Sequence, residues 1–146
     1  MDSQLATKVL LVDDEIEFIE ILSQRLETRG LKVIAATSGE KALVMTDDQN
    51  FDVAVIDFAM PGINGIETLK KIKEKRPDIE VIMLTGQGTI QSGIEAMKHG
   101  AIDYLEKPVD LKVLMEKIRL AKQQRMLALE KKSAEEVKNI LKSKSW

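Results

Sequence analysis

The sequence predicts an α/β fold: a doubly wound, five-stranded parallel sheet with a C-terminal helical extension. Three observations carry this. Five short apolar runs alternate with five segments of helical periodicity, the pattern of repeated βαβ units. The runs are continuously apolar rather than alternating, as in strands covered on both faces. The first, third and fourth runs are the most apolar and so belong in the middle of the sheet. With right-handed crossovers this favours the strand order 2-1-3-4-5, the flavodoxin-like arrangement.

The elements follow in order. Lys8 to Val12 is the first run, and the helix after it presents Phe18, Leu22 and Leu26 on one face and stops at Gly30. The second run is 32–36. "TSGE" at 37–40 matches a capping box and opens a short helix through Ala42 and Leu43. "DVAVID" is the third run, and a Gly/Pro loop leads from it to a helix carrying Ile66, Leu69 and Ile72 that closes before Pro77. "EVIMLT" at 80–85 is the fourth. Ile90, Ile94 and Met97 line the next helix, which ends at Gly100, with Met60 and Met97 as core fillers and His99 as a favourable charge at the helix end. "IDYL" at 102–105 is the fifth run, and Asp110 caps a last helix with Leu111, Leu114 and Ile118 inward.

Composition narrows the function. The 146 residues are 44% hydrophobic and 32% charged, as in a soluble globular protein, and only 3% aromatic. With no cysteine there are no disulfides, no thiol catalysis and no Cys-based zinc site. One histidine excludes a His-rich metal site. No apolar run approaches the roughly 20 residues that span a bilayer, and "MDSQLATK" has no signal pattern, so the reading is a cytoplasmic protein without membrane contact. Residues 1–118 carry 14 basic and 21 acidic groups, and residues 119–146 carry 8 and 3. An acidic body thus bears a basic tail, and the expected division is a domain over 1–120 with a helical tail or linker over 121–146.

The chemistry lies at the strand ends, where open parallel sheets bind ligands. The first run ends in Asp13, Asp14 and Glu15, the third in Asp57, the fourth in Thr85, and the fifth is followed by Lys107-Pro108. A buried strand that ends on an unpaired carboxylate is costly, so either Asp57 is a turn residue before the Gly/Pro loop or something positive is meant to meet it. Carboxylates in one crevice do not all ionise unless a cation joins them, and oxygen-only ligands suit Mg²⁺ better than zinc or copper. Thr85 adds a hydroxyl donor, and Lys107 adds a point charge suited to a tetrahedral anion. Together these are the parts for phosphoryl transfer, and a carboxylate can itself be the nucleophile.

"VDDE", "DFAMPGINGIE", "LTG" and "YLEKP" are similar, in order and spacing, to the receiver domains of two-component response regulators over roughly residues 6–120. The resemblance implies that Asp57 is the phosphoacceptor and that Asp13, Asp14, Asp57 and the Ala59 backbone carbonyl hold Mg²⁺. It implies that Thr85 and Lys107 sense the phosphate, that Tyr104 is an aromatic switch, and that Lys107-Pro108 is a cis peptide. An aromatic in an edge strand is equally an ordinary packing residue. The implied function is a phosphorylation-controlled switch, not an enzyme, that accepts a phosphoryl group from a sensor histidine kinase or phosphotransfer protein. The moving elements would be the mobile loop with Gly86 and Gly88 and the helix from Thr89 to His99, so that the surface of the fourth helix, fifth strand and last helix responds.

Alternatives accompany this reading. One is a receiver fragment of a longer transcriptional activator or hybrid kinase. Another is an aspartyl-nucleophile phosphatase, against which Ala59 stands where an acid/base Asp is needed. A nucleotide- or flavin-binding domain needs a Gly-rich turn where this chain has "VDDE". In the tail, Leu120, Leu127, Ala134 and Leu141 recur every seven residues, a seam for a homodimer. "SAEE" at 133–136 equally reads as the start of a separate short helix. Eight basic residues without a helix-turn-helix make direct nucleic-acid binding by this chain unexpected.

Overall fold

The computed structural model describes residues 6–60, 62–86 and 90–143. Gly88 and Thr89 of the expected moving loop and Trp146 lie outside the described residues. The elements are β1 (Lys8–Val12), α1 (Ile16–Thr28), β2 (Lys32–Ala36), α2 (Gly39–Asp48), β3 (Val53–Asp57), α3 (Gly65–Lys75), β4 (Glu80–Thr85), α4 (Ile90–Lys98), β5 (Asp103–Glu106) and α5 (Leu111–Ser143). The five strands are parallel and ordered β2-β1-β3-β4-β5, as the sequence predicts.

The pleat sorts each strand between two cores. Leu10, Val12, Ala54, Ile56, Val81 and Met83 meet α2, α3 and α4, whose contributions include Ala42, Ile66, Leu69, Ile72 and Ala96. Val9, Leu11, Val53, Val55, Ile82 and Leu84 meet Ile19, Leu22 and Leu26 of α1 and Leu114, Ile118 and Ala121 of α5. Both faces are therefore covered, which explains runs without alternation. Asp110 caps α5 through the N–H groups of Lys112 and Val113, and Gly30 sits past α1 at φ +90°, where a side chain is strained.

Four local expectations change. Ser38, not Thr37, caps α2 by accepting from the Lys41 N–H, and Glu40 accepts instead from Ile63 of a distant loop. The strand β5 begins one residue later than expected, at Asp103. On α4 the apolar stripe faces outward: Ile90, Ile94 and Met97 are 76%, 49% and 47% exposed, so Met97 is not a core filler, while Met60 is buried as expected. The reason is close approach. Gly93 and Ala96 form the inner side of α4, and a Cβ on Gly93 would lie 2.4 Å from the Tyr104 ring. Finally, α5 runs unbroken through Ser133, so "SAEE" starts no new helix.

The same α5 passes residue 120 without interruption and stays against the body as far as Leu129. From Glu130 to Ser143 every residue is exposed. Arg125 fastens it. Its guanidinium donates to Asp52 Oδ1 at 2.9 Å and to Asp78 Oδ2 at 2.9 and 3.2 Å, at the amino-terminal edge of the sheet. Burial alone raises the Asp78 pKa, but hydrogen bonds from Arg125 and Arg76 outweigh it and hold the carboxyl below its ordinary 3.8. A depressed carboxylate stabilises the fold above its unfolded pKa, and that stability disappears as pH falls through the folded value. Arg125→Ala is therefore expected to cost about 2–3 kcal/mol at pH 7, by the scale for hydrogen bonds to charged groups. Urea unfolding should show this penalty shrinking below about pH 4.

Candidate functional site

The carboxyl ends of four strands meet at the reversal of strand order between β1 and β3. The ladder continues one step beyond the strands and places the side chains that follow. Asp13 N–H donates to the Ala36 carbonyl at 3.1 Å, Phe58 N–H to Leu84 at 2.7 Å, and Lys107 N–H to Thr85 at 2.8 Å. Asp13, Asp14 and Asp57 each offer an oxygen within 4.8 Å of the others. Asp13 is fully buried and Asp57 is 5% exposed, whereas Asp14 faces solvent.

Asp13 is used at both oxygens. Oδ1 accepts the Glu15 N–H at 2.9 Å and so steadies the entry to α1. Oδ2 accepts from Lys107 Nζ at 2.7 Å. One carboxylate thus serves both the start of α1 and the site. Lys107 Nζ also lies 3.3 Å from Glu15 and 3.6 Å from Asp57 Oδ1. Its ammonium rests 4.2 Å from the centre of the Phe18 ring, a cation–π contact that shields it on one side. The Lys107-Pro108 peptide is cis, as expected.

The charges are unequal to their surroundings. Burial, and then the Asp13 charge, push the Asp57 pKa from 3.8 to about 6, with Lys107 pulling the other way. Burial opposes the charge on Lys107, but the Asp13 hydrogen bond and the Asp13 and Asp57 charges outweigh it, leaving its pKa above 10.5. The crevice therefore carries more negative charge than one ammonium neutralises. Three hard oxygen donors around a position that already attracts a cation fit a divalent metal of the Mg²⁺ kind.

Thr85 is buried at 2% exposure, and among the described residues its hydroxyl has a single long approach, 3.5 Å, to the Leu105 carbonyl. It is free to donate elsewhere at small cost. Tyr104 pairs with Met83 in the ladder and is half-buried, with its ring against Gly93. Ala59 lies two residues past β3 and is exposed, and its backbone hydrogen bond to Asp57 lowers that residue's pKa slightly. Asp13, Asp14, Asp57 and Lys107 are thus brought together, with Thr85 at the adjoining strand end. The sequence reading missed the Phe18 ring under the ammonium, because Phe18 already fitted the apolar face of α1.

The family model described as "Response regulator receiver domain" matches residues 9–119. The chain is 36% identical over 127 residues to the C4-dicarboxylate transport transcriptional regulatory protein DctD of Pseudomonas aeruginosa, covering 87% of this chain and 28% of that protein. It is 41% identical over 102 residues to the transcriptional regulatory protein ZraR of Escherichia coli, covering 70% of this chain and 23% of that one. The chain thus spans under a third of the length of these relatives. A response regulator receiver domain protein from Clostridium thermocellum superposes with a TM-score of 0.80 at 35% identity, over 84% of this chain and 98% of that structure.

Proposed function

This chain belongs to the response regulator receiver domain family, and on that premise we propose that it is a switch controlled by phosphorylation of Asp57. The observation that carries the reading is the Lys107 ammonium set between Asp13 and Asp57 at the carboxyl end of the sheet. In the reaction, a carboxylate oxygen of Asp57 attacks the phosphorus of a phosphohistidine. The new P–O bond forms as the P–N bond breaks, and the electron pair leaves with the imidazole nitrogen. Asp13, Asp14, Asp57 and the Ala59 carbonyl would hold Mg²⁺, which supplies charge neutralisation for the phosphoryl oxygens. Lys107 then leaves Asp13 for the phosphoryl group, and Thr85 turns its weakly held hydroxyl toward it.

The donor is a sensor histidine kinase or phosphotransfer protein. The apolar groove of about 520 Å³ beside Lys107, with Phe18, Ile21, Leu22, Pro108 and Val109 in its lining, suits its docking. The output face is α4, β5 and α5, because Thr85 leads into α4 and Tyr104 leans on it. Exposed Leu120, Leu127, Ala134 and Leu141 on α5 support a homodimer through the tail. We keep the end of the receiver near residue 120, with α5 continuing past it as the helical tail and resting against the body as far as Leu129. Attachment to an effector in a longer regulator fits the length of the relatives. The chain is a switch rather than an enzyme acting on a separate substrate.

Beryllofluoride with Mg²⁺ tests this as a phosphate mimic. Amide resonances of Asp57, Thr85 and Tyr104 should shift together, and sedimentation should show more dimer. Shifts that persist after Asp57→Asn, or none in the wild type, would overturn the assignment.

A further inference from the structure

We infer that Glu40 is a positioning residue for the Asp57 site, acting through the loop that carries Ala59. The inference rests on the reading of that site given above and names a residue outside it.

The loop between β3 and α3 is closed at its base. Gly65 N–H donates to the Phe58 carbonyl at 3.1 Å, and a Cβ on Gly65 would come 2.3 Å from the Asp57 carbonyl oxygen, so the two ends of the loop touch. Its far side is fastened to α2. Glu40 Oε1 accepts the Ile63 N–H at 3.0 Å, across 23 residues of sequence. Gly62 lies at φ +78°, and a Cβ there would stand 2.8 Å from the same Glu40 oxygen. A side chain at Gly62 would be strained at this φ and would push the flexible Glu40 carboxylate off the Ile63 N–H. Gly39 completes the contact, since a Cβ on it would lie 2.6 Å from the Ile63 side chain.

Glu40 therefore holds the backbone of a distant loop. The Ile63 N–H is the leading cause of its depressed pKa, consistent with a charge-assisted bond to the ionised carboxylate. Ala59 lies inside the loop whose base is Phe58–Gly65 and whose far side is Gly62–Ile63. Releasing Ile63 removes one fastening of the loop, so that the Ala59 peptide relies on its hydrogen bond to Asp57 and on the buried Met60 beside it, and its carbonyl is held less firmly toward the site. The carboxylates of Asp13 and Asp14 lie in the turn after β1, outside this loop, and stay in place.

Titration of the full chain with Mg²⁺ alone, read from the Asp13 and Ala59 amide resonances, tests this beside hydrogen exchange at Ile63. Glu40→Ala should weaken Mg²⁺ binding about three- to tenfold and speed Ile63 exchange. Glu40→Gln keeps the acceptor oxygen and should restore both. Unchanged Mg²⁺ affinity in Glu40→Ala with faster Ile63 exchange would reduce Glu40 to a structural clamp and overturn the inference. Equal losses in Glu40→Gln and Glu40→Ala would overturn it as well. If wild-type protein binds no Mg²⁺, or Asp13→Asn binds it equally well, the site reading itself fails and the inference falls with it.

Discussion

Replacing Asp57 by asparagine is expected to stabilise the metal-free protein while abolishing its reaction with phosphodonors. The native state raises the Asp57 pKa from 3.8 to about 6. A carboxyl that holds its proton more tightly when folded loses stability as pH rises through that window, and above it the whole penalty is present. Two units correspond to at most ~3 kcal/mol. Asparagine removes the charge and leaves Lys107 its bond to Asp13. In chelator at pH 7.5, Asp57→Asn should thus unfold at higher urea by about 1–3 kcal/mol, with the gap closing toward pH 4. The neutral amide has no anionic oxygen to form an acyl phosphate, so incorporation should fall below detection. An equally or less stable variant would show that burial of Asp57 is not the strain described here.

Lys107→Ala is expected to tighten Mg²⁺ binding and to disconnect phosphorylation from its response. Position in the chain alone sets Lys107 apart from the acidic pair. The fold brings its ammonium to 2.7 Å from Asp13, where it competes with any other cation. Removing a competing charge at this distance should raise Mg²⁺ affinity about tenfold, or ~1.4 kcal/mol. The phosphoryl group then lacks its cationic partner, and beryllofluoride should no longer shift resonances in α4 and β5. Calorimetric Mg²⁺ titration and amide shifts read the two effects separately. Weaker Mg²⁺ binding with an intact response would exchange the roles assigned to Lys107.

Much of this was legible in the sequence because the governing patterns are local. Continuous apolar runs mark strands covered twice, and the residues at their carboxyl ends are brought together by strand order alone. That is why Asp13, Asp57, Thr85 and Lys107 could be singled out. What escaped depends on which surface an element turns inward. The stripe of Ile90, Ile94 and Met97 obeys helical spacing as well as a buried one, but Gly93 and Ala96 allow α4 closer to Tyr104. Thr37 and Glu40 satisfy the capping-box spacing, yet the carboxylate finds the Ile63 N–H, a partner no local window contains. Arg125 reads as one charge among a basic tail until Asp52 and Asp78, 73 and 47 residues away, close around it.

The central claim is that Asp57 takes a phosphoryl group with the help of a divalent cation. Intact mass of the wild-type chain with acetyl phosphate, followed by peptide mapping, tests it most directly. The account predicts a gain of one phosphoryl group, located at Asp57, that requires Mg²⁺ and vanishes in chelator. A gain located at any other residue, or one of equal size without Mg²⁺, would contradict it.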